Sequence, residues 1–359
     1  MQETSIYQDI YGHNDWANRK VLTLCDGLTD EQLDQTKQMG FGTLRKTIFH
    51  LLEAESVWLD RWQGKPSRPL ETTTNMGVAE MRKQFDDVAA VRNQLISEEQ
   101  KTNFTRVADF KDSLGNPYSY PIGKLLNHVA NHGVHHRAQA LNYLRDFDKT
   151  VAGGLDYLFW KLAYPSCEQL EESLPPLREY GLEAATEPGY APTFDRELIQ
   201  NCFEYNDWAM LQVVDAALTV DDEQLDREFA MGLGTLRATL QHMIDAERWW
   251  LKNWHEADDC SFPSGEPPRS AAELLSLFQE TSQSRNAFIA QLDDVAAAKI
   301  AAVQAGGPTI KFRVTESLLQ LCCHGTHHRA QCLNMLRHMD VSHQSPDARG
   351  IDFIYWLQT

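Results

Sequence analysis

One histidine-rich stretch predicts the fold of this chain, and it reads Asn131-His132-Gly133-Val134-His135-His136-Arg137-Ala138-Gln139. A near copy in the second half reads Cys323-His324-Gly325-Thr326-His327-His328-Arg329-Ala330-Gln331. Histidines four residues apart project from one side of an α-helix, because four residues advance the helix by slightly more than one turn. Each stretch therefore predicts a helix that presents a pair of imidazoles on one face.

A third histidine lies upstream of each stretch, on an apolar segment rich in tryptophan: His50 in the first half and His242 in the second. Three imidazoles from two neighbouring helices could bind a divalent ion and leave coordination positions for water or substrate. A histidine on an apolar face is more often a core residue satisfied by hydrogen bonds. Retention of all these histidines in both halves favours the metal site.

The two halves of the chain are copies of one unit. From His132 to His324 the offset is 192 residues, and the same offset relates Asn14-Asp15-Trp16-Ala17 to Asn206-Asp207-Trp208-Ala209. It also relates the glycine-rich segment 39–45 to 231–237. An offset that holds over such a length indicates a whole domain duplicated in tandem rather than a solenoid of short repeats.

The composition of the chain indicates which binding partners to expect and in which cellular compartment the protein works. The 359 residues suffice for two domains, and 33 basic against 51 acidic residues give a net charge of −18. Such a surface repels phosphate groups, so we expect neither nucleic-acid nor anionic-membrane binding. We find no secretory signal or long apolar run, and the seven cysteines lack a regular spacing. These features predict a cytoplasmic protein with reduced thiols.

Apolar periodicity predicts four helices in each half. They cover about 4–27, 43–63, 78–100 and 122–146, then about 194–218, 235–256, 270–294 and 315–338. Thr43 is the expected N-cap of the second helix, and a turn-rich excursion at 113–121 predicts a short hairpin. The predicted fold class is therefore all-α, with two tandem four-helix bundles.

The repeat boundaries predict the domains. Prolines and acidic residues cluster at 165–192, which we interpret as a linker between a domain at 1–164 and a second at 193–359. The end of each copy is aromatic, since Gly154–Trp160 matches Gly350–Trp356. We expect each such tail to pack on its own bundle or on the other domain.

The expected metal ligands are three histidines in each half, on the second and fourth helices. On a helical wheel His136 lies about 40° from His132, and His135 lies about 60° away on the other side. The smaller angle favours position 136, while the role of His135 and of its counterpart His327 stays open. The predicted ligands are His50, His132 and His136, then His242, His324 and His328.

Several neighbouring residues allow more than one interpretation. His13 and His128 become Tyr205 and Gln320 in the second copy, so neither is needed by both halves. Glu53 either orients a ligand from outside the coordination shell or forms a solvent salt bridge. Arg137 and Gln139, repeated as Arg329 and Gln331, either hold an anionic substrate group or brace their helix. Cys322, Cys323 and Cys332, found only in the second copy, suit a redox role, a fourth ligand or simple core packing.

Three signature regions resemble those of the DinB-like (YfiT-like) metalloproteins. They are the Asn-Asp-Trp-Ala motif, His-x-x-x-Ala-Glu-x-x-Trp on the second helix and His-x-x-x-His-Arg-x-Gln on the fourth. The resemblance implies an up-down-down-up bundle with one divalent ion per domain. It also implies dimers among single-domain relatives, so the duplication is expected to build an intramolecular pseudo-dimer, with further homo-oligomers open. Asn18, which follows the first motif, is Met210 in the second copy, a departure from the family pattern.

Three classes of function remain open at this stage. The resemblance implies thiol S-transferases, thiol-dependent isomerases or hydrolases, so the first class is a metalloenzyme that activates a low-molecular-weight thiol or water against a small electrophilic substrate. The second is a non-catalytic metal-binding stress-response scaffold, and the third is a bare helical interaction module. Imidazole ligands accept zinc, nickel or iron. The absence of any Glu-x-x-His sequence argues against a di-iron site. The sequence assigns no catalytic residue.

Overall fold

The structure is a computed structural model that describes residues 5–66, 75–112, 115–151, 154–163, 192–257, 259–263, 267–303, 310–341 and 350–359. In these ranges helices predominate and strands are short, which confirms the all-α class. The predicted linker at 165–192 lies outside the described residues except for its last residue. The order of the helices as up-down-down-up, and the domain boundaries, stay predictions.

The chain forms two compact units. The N-terminal unit contains residues 5–151 together with Asp352–Ile354. The C-terminal unit contains the described residues between 154 and 351, with Tyr355–Thr359. Each unit holds one histidine-rich helix and its upstream partner helix, so each candidate metal site lies within a single unit.

Four long helices form the N-terminal unit: α1 (Ile6–Leu24), α3 (Leu44–Trp62), α4 (Val78–Glu99) and α5 (Ile122–Arg145). Helix α1 packs against α4 and α5, and α3 packs against the same two helices. A short helix, α2 (Asp30–Leu33), follows α1, and a 3₁₀ turn at Gln100–Thr102 follows α4. Thr43 caps α3 by accepting a hydrogen bond from the backbone N–H of Lys46, which confirms the predicted helix start.

The C-terminal unit repeats this plan with α7 (Arg196–Ala217), α9 (Leu236–Trp254), α10 (Ala271–Gln291) and α12 (Val314–His338). Helix α7 packs against α10 and α12, and so does α9. Short helices α8 (Asp222–Leu225) and α11 (Asp294–Ala298) join them. Thr235 caps α9 as Thr43 caps α3. The predicted long helices therefore agree with the structure to within three residues at each end.

A two-stranded antiparallel hairpin precedes the histidine-rich helix in each unit. In the first, β1 (Val107–Lys111) pairs with β2 (Pro117–Pro121), which confirms the hairpin predicted there. In the second, β3 (Ile300–Val303) pairs with β4 (Ile310–Arg313). The second hairpin was not predicted, although Gly306-Gly307-Pro308 between its strands is a turn signal comparable to Gly115-Asn116-Pro117 in the first copy.

A tight turn before α3 lies over the middle of α5. Gly40 and Gly42 adopt positive φ angles of 48° and 86°, which favour glycine. A side chain at Gly40 would place its Cβ 2.6 Å from Oε1 of Gln139, so the turn and Gln139 are in close contact. Gly232 and Gly234 have the same conformation in the second copy.

The tail of the first sequence repeat packs in the C-terminal unit. Its helix α6 (Tyr157–Ala163) contacts α12. Lys161 and Glu316 form a buried ion pair there, at 3.3 Å. The side chain of Gln320 accepts a hydrogen bond from the backbone of Leu158 and donates one to Asp156. The tail of the second repeat forms the short helix α13 (Phe353–Trp356). Nowhere in the described ranges is a helix both long and apolar enough to traverse a bilayer.

Candidate metal centre

The structure brings the three predicted ligands of the N-terminal unit together. Helix α3 contributes His50, and α5 contributes His132 and His136. The Nε2 atoms of His50 and His132 lie 2.9 Å apart. One nitrogen from each of the three rings lies within 4.8 Å of the others, so this group could hold a metal ion. The two helices are neighbours in the bundle, which explains how residues 82 positions apart meet.

The C-terminal unit contains the same arrangement. His242 on α9 faces His324 and His328 on α12, and the Nε2 atoms of His242 and His324 lie 3.0 Å apart. These three rings form the second group that could hold an ion. The Nε2–Nε2 distance is therefore nearly the same in the two units, although about half of the residues in the two helices differ.

Burial lowers the pKa of five of the six imidazoles and so favours their neutral form at physiological pH. It lowers the pKa of His50 to about 3, with a smaller contribution from His136. Burial likewise lowers the pKa of His136 to about 4 and that of His242 to about 4. The pKa values of His132 and His324 fall well below the ordinary value for the same reason, and the neighbouring imidazoles add to the shift. Neutral imidazole is the form that binds a metal ion.

Gln139 fixes the orientation of the third ligand and clarifies the role of its neighbour. Its Oε1 lies 2.8 Å from Nδ1 of His136, so this nitrogen donates and Nε2 keeps its lone pair for an ion. Nε2 of Gln139 donates to Nε2 of His135 at 3.0 Å. Nε2 of His135 therefore accepts this hydrogen bond, and His135 is not part of the three-histidine group. In the second unit Gln331 contacts His328 and His327 at 2.7 and 3.0 Å in the same way.

The donor set fits a divalent ion of intermediate softness. Three nitrogens bound to one tetrahedral zinc ion at about 2.0–2.1 Å would lie about 3.3 Å apart. The Nε2–Nε2 separations of 2.9 and 3.0 Å are close to that value. Neither group includes a cysteine or a carboxylate. All-imidazole sets suit zinc, nickel, copper and iron better than magnesium or calcium.

A buried polar network braces the helices behind each site. Arg92 on α4 is fully buried and contacts Glu55 at 2.7 Å and both carboxylate oxygens of Asp15 at 2.6 Å. Glu55 also accepts hydrogen bonds from Asn14 and Asn18, at 2.8 and 2.9 Å. The Asn-Asp pair of the repeated motif is therefore part of the network that joins α1, α3 and α4.

Arg137 connects this network to the ligand helix. Its Nη1 donates to Asn14 and Asn18 at 2.6 and 2.9 Å, and the side chain is buried. The sequence left open whether Arg137 holds an anionic substrate group or braces its helix, and these contacts match the bracing role. Gly133 makes the approach possible, since a Cβ there would lie 2.7 Å from Oδ1 of Asn14 and 2.8 Å from Nη1 of Arg137.

The second unit preserves the network with two changed partners. Arg285 replaces Arg92 and binds Glu247 and Asp207. Met210 stands where Asn18 stood, so one amide is lost, but Arg329 donates to Thr326 at 3.0 Å instead. Val134 occupies the position of Thr326 in the first copy. Burial raises the pKa of Glu247, and Asp207 adds to this, while Arg285 opposes it.

The remaining sequence candidates lie around the sites or in the core. His128 is buried against Trp58, at 5.0 Å between ring centroids, and does not join the group. Asp245, the counterpart of Glu53, is buried and forms an ion pair with Arg248 at 2.9 Å. Cys322 and Cys332 are buried, and burial raises the pKa of Cys332 to about 12, so the core-packing interpretation fits both.

The turn before each partner helix covers one edge of the site. In the first unit the ring of Phe41 lies 3.9 Å from that of His50 and 5.4 Å from that of His136. In the second unit Leu233 takes this position. There a cavity of about 470 Å³ opens beside His242, and Leu233 and Phe262 are among the residues that line it.

Comparison with known proteins agrees with this duplicated architecture. The sequence profile of the DinB family matches residues 1–163 and again residues 193–353. This chain belongs to the DinB family. It is also 22% identical over 144 residues to Protein DinB of Bacillus subtilis (strain 168), a match that covers 38% of this chain and 83% of that protein. The two DinB segments each contain one complete histidine group, so the tandem duplication carried the candidate site with it.

Two features of these DinB segments were missed in the sequence. Arg92 and Arg285 are related by an offset of 193 rather than 192, because the connection between α9 and α10 is one residue longer than that between α3 and α4. At the uniform offset Arg92 falls opposite Ser284, so the repeated arginine was not recognised. The contact from Gln139 to both His135 and His136 was also missed. Spacings of three and four residues on one helix are the signal that could have indicated it.

Proposed function

We propose that this DinB family protein is a metal-dependent enzyme that activates a thiol or a water molecule for attack on a small electrophilic substrate. The observation that carries the proposal is the cavity of about 470 Å³ that reaches His242 at the edge of the second histidine group. A cavity of this size accepts a small molecule. Only a ligand bound next to the metal ion could react there.

His242, His324 and His328 would hold a divalent ion through three neutral nitrogens, and such an ion would supply the positive charge that lowers the pKa of a thiol or water towards neutrality. The sulfur or oxygen then bonds to the electrophilic carbon of the substrate, whose leaving group departs with the electron pair of the broken bond. The proton of the thiol or water passes to solvent. A low-molecular-weight thiol would make the reaction an S-transfer, suited to detoxification in a stress response, and water would make it a hydrolysis.

The residues of the chain hold and orient the reacting groups. Gln139 and Gln331 keep Nε2 of His136 and His328 directed away from the glutamine contact. The Arg92 and Arg285 networks fix the helices on which the ligands lie. Phe41 shields one face of His50 from solvent. A rigid, partly dry ligand set is what a reactive metal-bound nucleophile requires.

A second candidate, a non-catalytic metal-binding scaffold, is favoured by a different observation. Each histidine group joins only two helices, α3 with α5 and α9 with α12, so an ion would cross-link that helix pair. In the leading proposal, by contrast, each half of the chain binds one zinc, nickel or iron ion. The two halves then form an intramolecular pseudo-dimer that works in the cytoplasm.

Turnover assays with the metal-loaded protein test the proposal. Zinc-, nickel- and iron-loaded samples are incubated with alkyl halides, epoxides and activated esters, each with several cellular thiols and without any thiol. We expect product with at least one pair, and loss of product in the His132→Ala/His324→Ala variant. Metal-loaded protein that turns over none of these substrates would support the scaffold instead.

A further inference from the structure

The cavity beside His242 has walls of two kinds. One wall is apolar and consists of Leu233, Phe262, Pro263 and Pro268. Phe262 lies 6.0 Å from the ring of His242 and 5.9 Å from that of Trp249, so this wall extends from the metal site into an aromatic cluster. Leu233 is exposed although it is large and apolar. An exposed leucine next to an open cavity is available for contact with a ligand.

The charged residues of the cavity are already neutralised by protein partners. Arg237 donates to Asp226 at 2.7 Å and to Asp222 at 2.6 Å. Asp245 forms ion pairs with Arg248 and Arg269, at 2.9 and 3.9 Å. A charged ligand would gain little from these groups and would lose its own hydration.

The polar groups that remain are uncharged. Oε1 of Gln241 accepts from the backbone of Arg269 and Oγ1 of Thr235 accepts from that of Ala238, so the donors of these amide and hydroxyl groups are what a ligand would meet. Amide and hydroxyl groups form hydrogen bonds with uncharged groups of a ligand. They fix the orientation of the ligand but do not select for a charged one. The volume of about 470 Å³ exceeds that of a two- or three-ring molecule.

We infer that this cavity binds an uncharged molecule with an aromatic or branched aliphatic group, held against Leu233 and Phe262 with its polar end towards Gln241 and His242. This inference rests on the proposed function and specifies the electrophilic substrate of the second site. The first unit presents Phe41 against His50 where the second presents Leu233. The two sites therefore differ in the ligand that they accept.

A pair of dyes that share one ring system tests the inference without metal or turnover. N-phenyl-1-naphthylamine is uncharged, and 8-anilino-1-naphthalenesulfonate adds one negative charge. With the full metal-free chain we expect one neutral dye to bind per molecule, at least about tenfold more tightly than the sulfonate, by fluorescence titration. Equal or tighter binding of the sulfonate would overturn the assignment of an uncharged ligand.

Matched variants locate the dye. Ala238 lines the cavity and is exposed at the third position of α9, so Ala238→Trp should obstruct it and weaken the neutral dye at least about tenfold. Lys46 is exposed at the corresponding position of α3, and Lys46→Trp should leave the affinity unchanged. Unchanged binding in Ala238→Trp would place the dye elsewhere and overturn the inference. Failure of the proposed function is distinguishable from failure of this inference, since it would appear as metal-loaded wild-type protein that turns over no substrate while the neutral dye still binds.

Discussion

Nδ1 of His136 donates a hydrogen bond to Oε1 of Gln139 over 2.8 Å, and this single contact determines which nitrogen of the imidazole is available to an ion. The ring can bind a metal only through Nε2 while the contact persists. The same geometry between His328 and Gln331 shows that duplication preserved the contact together with the ligands. A residue outside the coordination shell thus has a defined effect on the candidate site.

Replacement of Gln139 should weaken metal binding without removing a ligand. We expect Gln139→Ala to lower the zinc affinity of the first site about 10- to 100-fold, because the imidazole of His136 loses its fixed orientation. Gln139→Glu keeps an acceptor for Nδ1 and should retain most of the affinity. Competition with a chromophoric chelator measures both. An alanine variant with unchanged affinity would contradict the orienting role.

Metal stoichiometry should follow the two histidine groups independently. We expect the metal-loaded chain to contain two ions, His132→Ala or His324→Ala to contain one, and the double variant to contain none. The measurement is elemental analysis after gel filtration. His128→Gln is the matched control, because the second copy carries Gln320 at this position, and it should retain two ions. Two ions in the double variant would refute the ligand assignment.

Gly133→Ala should destabilise the protein, although the same change normally stabilises a helix. Glycine to alanine inside a helix usually gains about 0.5–1 kcal/mol. Here the added Cβ would lie within 2.8 Å of both Asn14 and Arg137, so Gly133→Ala should instead lower the free energy of unfolding. Urea denaturation measures the change. Gly325→Ala, with Asn206 and Arg329 as neighbours, should behave in the same way, and a stabilised variant at either position would contradict the packing described.

Thr326 and Met210 should be energetically coupled. Thr326→Val removes the partner of Nη2 of Arg329 and should cost about 1–3 kcal/mol. In a Met210→Asn background, which restores the amide found at Asn18, the same change should cost less. A double-mutant cycle by chemical denaturation measures the coupling. Additive effects would show that Thr326 does not compensate for the lost asparagine.

Acid should destabilise the metal-free protein through its buried histidines. Their pKa values are lower in the folded chain than the ordinary 6.5, as for His50 at about 3 and His242 at about 4. Between those values and about 6.5 the unfolded chain binds more protons, so this contribution to stability is complete above 6.5 and is lost as the pH falls.

The free energies of unfolding at pH 7 and pH 5 measure this effect. The difference should be smaller in His50→Asn/His242→Asn, which removes two of the titrating groups. The comparison between variants isolates the histidines from other acids, including Asp352, whose pKa burial raises to about 6. An equal loss of stability in both proteins would contradict the contribution assigned to these two residues.

Apolar periodicity and motif spacing predicted the long helices and the grouped histidines, whereas the side-chain hydrogen bonds around the site were not predicted. The long helices could be predicted because apolar residues recur at helical intervals and Thr43 has the character of an N-cap. The meeting of His50 with His132 and His136 could be predicted because the duplication repeats all three. The spacings of three and four residues allow the hydrogen bonds of Gln139 to His136 and His135, but they were missed because a glutamine at this position also suits a substrate contact. Nor could the change of arginine partner in the second unit be predicted, where Met210 on α7 replaces the amide and Thr326 on α12 accepts from Arg329, because packing decides which side chains reach the arginine.

The buried ion pair between Lys161 and Glu316 makes the C-terminal unit depend on a residue of the first sequence repeat. Lys161 ends the first sequence repeat, yet it neutralises a carboxylate inside the C-terminal unit. The corresponding residues are Leu357 and Lys124, so no reciprocal pair exists at those positions. Lys161→Met would keep α6 in place and leave Glu316 buried without this cation, at a cost of about 3–5 kcal/mol. A segment encoded by the first repeat is therefore part of the C-terminal unit, so a deletion that removes the first repeat with its tail also removes part of the second unit's fold.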